Sequence, residues 1–251
     1  MWCFNIFTCS LCLIISISMT IFAPDSSAQS SKDWQSLFNG RDLTGWTVKG
    51  AAVDQNKKFW SVDDGAIVAN SLGHKDHDYN WLLTDREYGD FELSLEFQAY
   101  RDHPGNAGVQ IRSRYDDAEE WLDGPQIDIN PGGPWRIGMI YDETREQRTW
   151  IYPAIMKASE ATEAMANPHY KFYYSDEGTG WNTLVITAVG TQIRTDLNGV
   201  SMSSYGGQGM LDNEDHQRHN VGIQGHIGLQ IHKKNEVKVR YRNINIREFL
   251  H

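Results

Sequence analysis

NAGVQIRSR, residues 106–114, and GPQIDINPGGPWRIGMIYDE, residues 124–143, decide how this chain folds. Each contains a run in which apolar and polar side chains alternate, the period of a β-strand with one buried face. Val109 and Ile111 share one face, Gln110 and Arg112 the other; Ile127 and Ile129 oppose Gln126 and Asp128. GHIGLQIH, residues 225–232, repeats the pattern, with Ile227, Leu229 and Ile231 inward and His226, Gln230 and His232 outward. An ordinary solvated face carries Lys, Thr and Glu without preference. These outward faces carry amides, imidazoles, a carboxylate and a guanidinium, with Tyr141, Asp142 and Glu143 following. If the three strands are neighbours, their polar faces form one concave patch, and that patch is the candidate site.

The rest of the chain supports an all-β reading. FELSLEF, 91–97, is a clean alternating strand, and WNTLVITAV, 181–189, is another. Asp64–Gly65 and Asn198–Gly199 are hairpin turns between alternating runs. The composition ASEATEAMAN, 158–167, between Pro153 and Pro168, predicts one short helix inserted in a loop beside the cleft. Residues 201–220 read as a polar, Gly-rich loop whose His216 and His219 are solvated, and the His/Asp-rich stretch 74–78 reads as a solvated loop too. Ten or more short strands with frequent turn signals and no repeat or linker predict a β-sandwich or jelly roll forming one domain, residues 29–251.

Composition narrows the function. The 251 residues carry a net charge of −10 with no basic block, which argues against nucleic acid, since neutralising phosphates takes clustered Lys and Arg. Nine Trp and 12% aromatics suit sugar rings, whose apolar C–H faces stack on indole and phenol, although most Trp are expected in the core. Residues 6–22 are nearly all apolar or small and lead to Ser26, Ser27 and Ala28. Residues 1–28 therefore read as a signal peptide, with an uncleaved anchor as the alternative, and the mature protein as exported, periplasmic or secreted, without a membrane segment. Cys3, Cys9 and Cys12 all fall inside that segment, so the mature domain has no thiol for disulfides, metal ligation or nucleophilic catalysis.

LFNGRDLTGW (37–46), WSVDDGAIV (60–68), YGDFELSLEF (88–97), NAGVQIRSR, GPQIDI, YDE, GWN, LNG, GHIGLQIH and YRNINIREF (241–249) follow one another in an order that resembles the 3-keto-disaccharide hydrolase domain family. The resemblance covers residues 34–249. It implies a concanavalin-A-like jelly-roll β-sandwich with a sugar-binding concave face, in exported proteins that cleave glycosides already oxidised at C3. Gly124 stands where many members have Glu, and Ser203, Ser204 and Tyr205 follow LNG where an acidic residue is common. The insertion at 157–180 is long.

A C3 ketone acidifies the C2 proton, so such a site needs a base near C2, a positive or hydrogen-bonding group on the C3 oxygen, and a proton donor for the leaving group. In that scheme His226 or His232 is the base, and Asp128 and Glu143 complete the catalytic set. Arg112, Gln126, Gln230, Tyr141 and Trp135 bind substrate. A divalent metal of unspecified identity, held by Asp128, Glu143 and His232, is the alternative stabiliser of the enolate, and no organic cofactor is expected. Each residue also has a structural reading: an Asp128–Arg112 cross-strand ion pair, His232 at a solvated strand end, Glu143 in a charged loop, and Gln230 satisfying buried backbone. The competing function is a non-catalytic, lectin-like carbohydrate-binding module on the same fold.

Overall fold

The computed structural model describes residues 32–133 and 135–250; the expected signal peptide and the three cysteines lie outside them. The first strands are β1 (Gln35–Ser36), β2 (Trp46–Gly50), β3 (Trp60–Asp63), β4 (Ala66–Asn70), β5 (Asn80–Thr84) and β6 (Phe91–Pro104). The middle of the chain supplies β7 (Ala107–Asp116), β8 (Trp121–Asp123), β9 (Pro125–Ile129), β10 (Ile140–Asp142) and β11 (Thr149–Tyr152). The remainder are β12 (Asn182–Val189), β13 (Gln192–Leu197), β14 (Val200–Tyr205), β15 (His226–Ile231) and β16 (Val237–Glu248).

These strands form two antiparallel sheets. One runs β14-β13-β12-β6-β16-β4-β3, with β1 added on β16. The other runs β11-β10-β9-β7-β15-β5-β2, with β8 added on β7. The alternating faces meet between them. Phe91, Leu93, Leu95 and Phe97 of β6 share one core with Val109 and Ile111 of β7, Ile127 and Ile129 of β9, and Ile227, Leu229 and Ile231 of β15. Each such side chain, fully buried, contributes roughly 1.5–3 kcal/mol. The expected neighbours β9, β7 and β15 are adjacent strands of the second sheet, so Gln126, Asp128, Gln110 and Gln230 share its outer face. Asp64 and Asn198 lie at φ 45° and 48°, followed by Gly65 and Gly199 at 68° and 79°, the left-handed pair that a two-residue hairpin turn requires.

The helix lies elsewhere than expected. Residues 158–167 form two 3-10 turns, Ala158–Glu160 and Glu163–Met165, separated by extended backbone at Ala161 and Thr162. Only Ala161 of this segment is buried in the core, too little to support a ten-residue helix whose isolated form is marginal. The one α-helix among the described residues is α1 (Glu214–His219), in the stretch read as a solvated loop. Its caps were in the sequence: Asn213 accepts from the His216 amide, Glu214 and Asp215 occupy the first turn, and Asn220 ends it in the left-handed region at φ 54°.

One irregularity redirects the site. At Arg112 the backbone turns to φ 50°, and the β7–β15 register shifts between His226 and Gly228. Such a bulge breaks the alternation and twists the strand. Beyond it β7 continues with β8, which covers part of the outer face. There Tyr79, Trp81, Leu83 and Leu122 form a second apolar cluster, with Tyr115 and Trp121 packed on it. That cluster divides the concave face.

Candidate active site

On one side of the aromatic divide lies a hollow of about 240 Å³. Ligand pockets for drug-sized molecules usually exceed 300 Å³, so this one suits a single small polar ring. Strands β9 and β10 present Gln126, Asp128 and Tyr141; the β10–β11 turn presents Glu143 and Arg148; β11 adds Trp150; His232 follows β15 and Tyr79 precedes β5. Asn106, Arg136, Thr149, Met156 and Ala158 complete the wall.

The polar groups are tightly ordered. Gln126 Nε2 donates to Asp128 Oδ1 at 2.7 Å, and Arg136 Nε donates to Asp128 Oδ2 at 2.8 Å. Burial pushes the Asp128 carboxyl above its ordinary value, while Arg136 and Gln126 pull it back. His232 Nδ1 lies 2.9 Å from the Lys233 carbonyl and must donate there, which leaves Nε2 to accept from the Tyr79 hydroxyl at 3.0 Å. Burial drives the imidazole below its ordinary value, so at neutral pH the ring is uncharged and basic at Nε2. Burial likewise drives the Tyr79 phenol upward, keeping it a hydrogen-bond donor.

Glu143 is strongly perturbed too. Its carboxyl is pushed up to about 8, first by burial and then by the charge of Asp128 and Asp142, against the pull of Arg148 and of a hydrogen bond with Gln230. It therefore carries a proton at neutral pH. A buried acid held neutral and a neutral, basic imidazole lining the same hollow are the pair that general acid–base chemistry uses.

Four buried oxygens around this hollow have no donor: Asn106 Oδ1, Gln126 Oε1, Gln230 Oε1 and Glu143 Oε2. Their amide orientations are fixed by the other end, because Gln126 Nε2 is committed to Asp128 and Gln230 Nε2 faces Gln110 Oε1, itself an acceptor for the Trp81 indole. A proton on Glu143 gives one of these oxygens a donor. The rest call for hydroxyl or water hydrogens brought from outside, since buried acceptors left unpaired cost roughly 1–3 kcal/mol each.

The structure thus brings together Asp128, Glu143, His232, Gln126, Tyr141 and, adjoining Glu143, Gln230. Three expected residues lie elsewhere. Arg112 is fully buried: its guanidinium donates to Asp90 at 2.8 Å and to the carbonyls of Gly89 and Gly222 at 2.8 and 3.3 Å, and also bonds the Gly190 carbonyl. The bulge at Arg112 itself sends the side chain off the outer face, so Asp128 pairs with Arg136 instead. His226 stands beyond the aromatic divide, in a second hollow with Arg114, Tyr115 and Asp85, where Nδ1 meets the Thr84 carbonyl at 2.7 Å. Trp135 is packed in the main core, its ring 5.0 Å from that of Tyr170. The wall is instead lined by Trp150, which sequence reasoning did not single out, 4.9 Å from the Tyr141 ring.

The expected metal ligands do not make a cage. Both Asp128 oxygens are engaged by Gln126 and Arg136, His232 Nε2 accepts from Tyr79, and among the described residues no three His, Cys, Asp or Glu side chains are grouped to hold an ion. Sequence reasoning missed Tyr79, Arg136 and Arg148. Arg148 stood in plain view in the charged turn after Glu143, but only the fold shows that it faces the hollow with Glu143 while Thr144 to Gln147 turn toward α1.

A structure from Parabacteroides distasonis ATCC 8503, described as a candidate glycosyl hydrolase, is 22% identical over 87% of this chain and 94% of that one, with a TM-score of 0.55. A Bacillus subtilis protein of unknown function with a galectin-like fold aligns at 11% identity over 83% of this chain and 91% of that one, also with a TM-score of 0.55. At these identities the likeness establishes the fold, a jelly-roll β-sandwich of the kind galectins share. No curated protein matches the chain significantly. The sequence pattern of the 3-keto-alpha-glucoside-1,2-lyase-like domain matches residues 33–247, nearly the whole described chain, and on that match the protein belongs to the 3-keto-disaccharide hydrolase family.

Proposed function

We propose that this protein is an exported enzyme that cleaves 3-keto-glycosides at the Glu143–His232 hollow by elimination followed by hydration. The observation that carries the reading is that Asn106, Gln126 and Glu143, each with a donor-less buried oxygen, line one ring-sized hollow, with that of Gln230 adjoining Glu143. A sugar supplies hydroxyl hydrogens for them. The description of the matching family, a 3-keto-alpha-glucoside-1,2-lyase-like domain, supports an oxidised C3.

The steps use the chain's own groups. With the ketone at C3, the C2 proton is acidic. It passes to Nε2 of His232, with the Tyr79 hydroxyl as the relay: the phenol oxygen takes the C2 proton as it hands its own to the imidazole, so no free phenolate forms. Arg148, the guanidinium beside Glu143 and Tyr141 in the wall, stabilises the negative charge on the C3 oxygen. Collapse of the enolate breaks the C1–O bond, and Glu143 gives its proton to the leaving oxygen. The product is a C1=C2 enone. Water then adds at C1, losing a proton to the Glu143 carboxylate, while C2 recovers a proton from His232. The sum is one glycoside and one water giving the 3-keto sugar and the free aglycone. Asp128, fixed between Gln126 and Arg136, orients those two donors rather than reacting.

The experiment is aglycone release from a 3-keto-glucoside by residues 29–251, with the unoxidised glucoside as control. Turnover of the 3-keto compound alone supports the enzyme. Binding of sugar without turnover of any 3-keto-glycoside makes the protein a carbohydrate-binding module.

A further inference from the structure

The β10–β11 turn that carries Glu143 and Arg148 is gripped from behind. Asp142 lies 3.0 Å through Oδ2 from His216 Nε2, and the Thr144 hydroxyl lies 3.2 Å from the same nitrogen. Arg145 Nη2 is 3.0 Å from His219 Nδ1, and Glu146 Oε2 is 2.9 Å from His219 Nε2. Gln147 Nε2 donates to Asp215 Oδ2 at 2.5 Å. Of the side chains from Asp142 to Arg148, Thr144, Arg145, Glu146 and Gln147 bond to α1 and Asp142 lies against His216, whereas Glu143 and Arg148 line the hollow. The grip opposes strain: Glu146 and Arg148 sit at φ 67° and 38°, conformations that non-glycine residues adopt at a cost. His216 is itself locked, fully buried, with Nδ1 2.9 Å from the Asn213 cap.

We infer that His216 and His219 are positioning residues, and that α1 is a clamp that holds the turn in the one shape that aims Glu143 and Arg148 into the hollow. This rests on Glu143 and Arg148 serving the proposed reaction. The amides of Asn106 and Gln126 that line the hollow lie on other segments, so the clamp acts on turnover more than on substrate binding.

The test compares His216→Ala, His216→Gln and His219→Ala in the full mature chain. His216→Ala is expected to lower kcat for aglycone release by roughly tenfold to a hundredfold, the scale of an ångström-sized misplacement, with KM within about twofold. His216→Gln, whose amide reaches Asp142 from a similar point, is expected to recover most of it. Amide exchange in residues 142–148 is expected to quicken in His216→Ala while the β9 and β15 amides stay protected. Should His216→Ala fail to fold, the half-buried His219→Ala carries the same expectations. Wild-type kcat and unchanged exchange in these variants overturn the clamp, and so does an equal loss in His216→Ala and His216→Gln that follows the unfolded fraction. If the wild type releases no aglycone at all, the proposed function fails, while the exchange measurement still decides whether α1 holds the turn.

Discussion

The Tyr79 hydroxyl donates to Nε2 of His232 across 3.0 Å, joining a residue just before β5 to one just after β15. The rings meet edge to face at 4.8 Å, and Tyr79 stacks on Trp81 at 5.5 Å with 13° between planes. The aromatic divide thus fixes the proposed base and its proposed relay. Tyr79→Phe keeps the ring and its packing but removes the relay. Turnover should fall by roughly a hundredfold, in the range of a lost proton-transfer group, with the melting temperature little changed. Equal turnover would remove Tyr79 from the reaction.

The two histidines of the GHIGLQIH strand should separate cleanly. His232→Ala should lose roughly two to four orders of magnitude in kcat. His226→Ala should keep wild-type kcat and KM, because His226 faces a different hollow across the Tyr79–Trp121 cluster. The same steady-state assay checks both, and a strong effect at His226 would put the chemistry on the wrong side of the divide.

The pH profile of turnover should be bell-shaped. The alkaline limb belongs to Glu143: its proton is lost through about pH 8, and leaving-group protonation with it. The acid limb belongs to His232, whose lowered value puts its loss of basicity below 6.5. Stability carries the same signature. Between 4.5 and 8 the folded protein holds a proton on Glu143 that the unfolded chain has released, so unfolding free energy should fall as pH rises through that window. Glu143→Gln should abolish both the alkaline limb, by abolishing turnover, and this component of the stability slope, readable by urea unfolding across the pH range.

Arg112 should behave as a structural residue. Its buried pair with Asp90 and its carbonyl partners predict that Arg112→Ala costs about 3–5 kcal/mol in unfolding free energy, since the charge of Asp90 is left uncompensated. Arg148→Ala, on an exposed side chain, should leave the unfolding midpoint nearly unchanged and remove turnover. Urea unfolding and kcat on the same preparations check the contrast.

Much of this was legible in the residues. Alternation in 91–97, 106–111, 126–129 and 227–231 reports which face is buried, because period-two burial is a local property, and it placed Gln126, Asp128, Gln230 and His232 on one surface. The left-handed turns at Asp64–Gly65 and Asn198–Gly199 are equally local. The α1 caps at Asn213 and Asn220 were written in the sequence too, but a six-residue helix has too little periodicity to stand out from a polar loop.

What the sequence by itself determined, then, is a two-sheet sandwich with a polar, amide- and acid-rich face, since strand period, turn chemistry and hydrophobic pattern depend only on near neighbours. Tertiary structure alone decided which groups on that face meet. The bulge at Arg112 took a guanidinium out of the site, the β7–β8 hairpin split the hollow and isolated His226, and a turn pinned by α1 brought Glu143 and Arg148 into it. Those outcomes depend on contacts between segments tens to more than a hundred residues apart, where a one-residue change of register moves a side chain to the other face of the sheet.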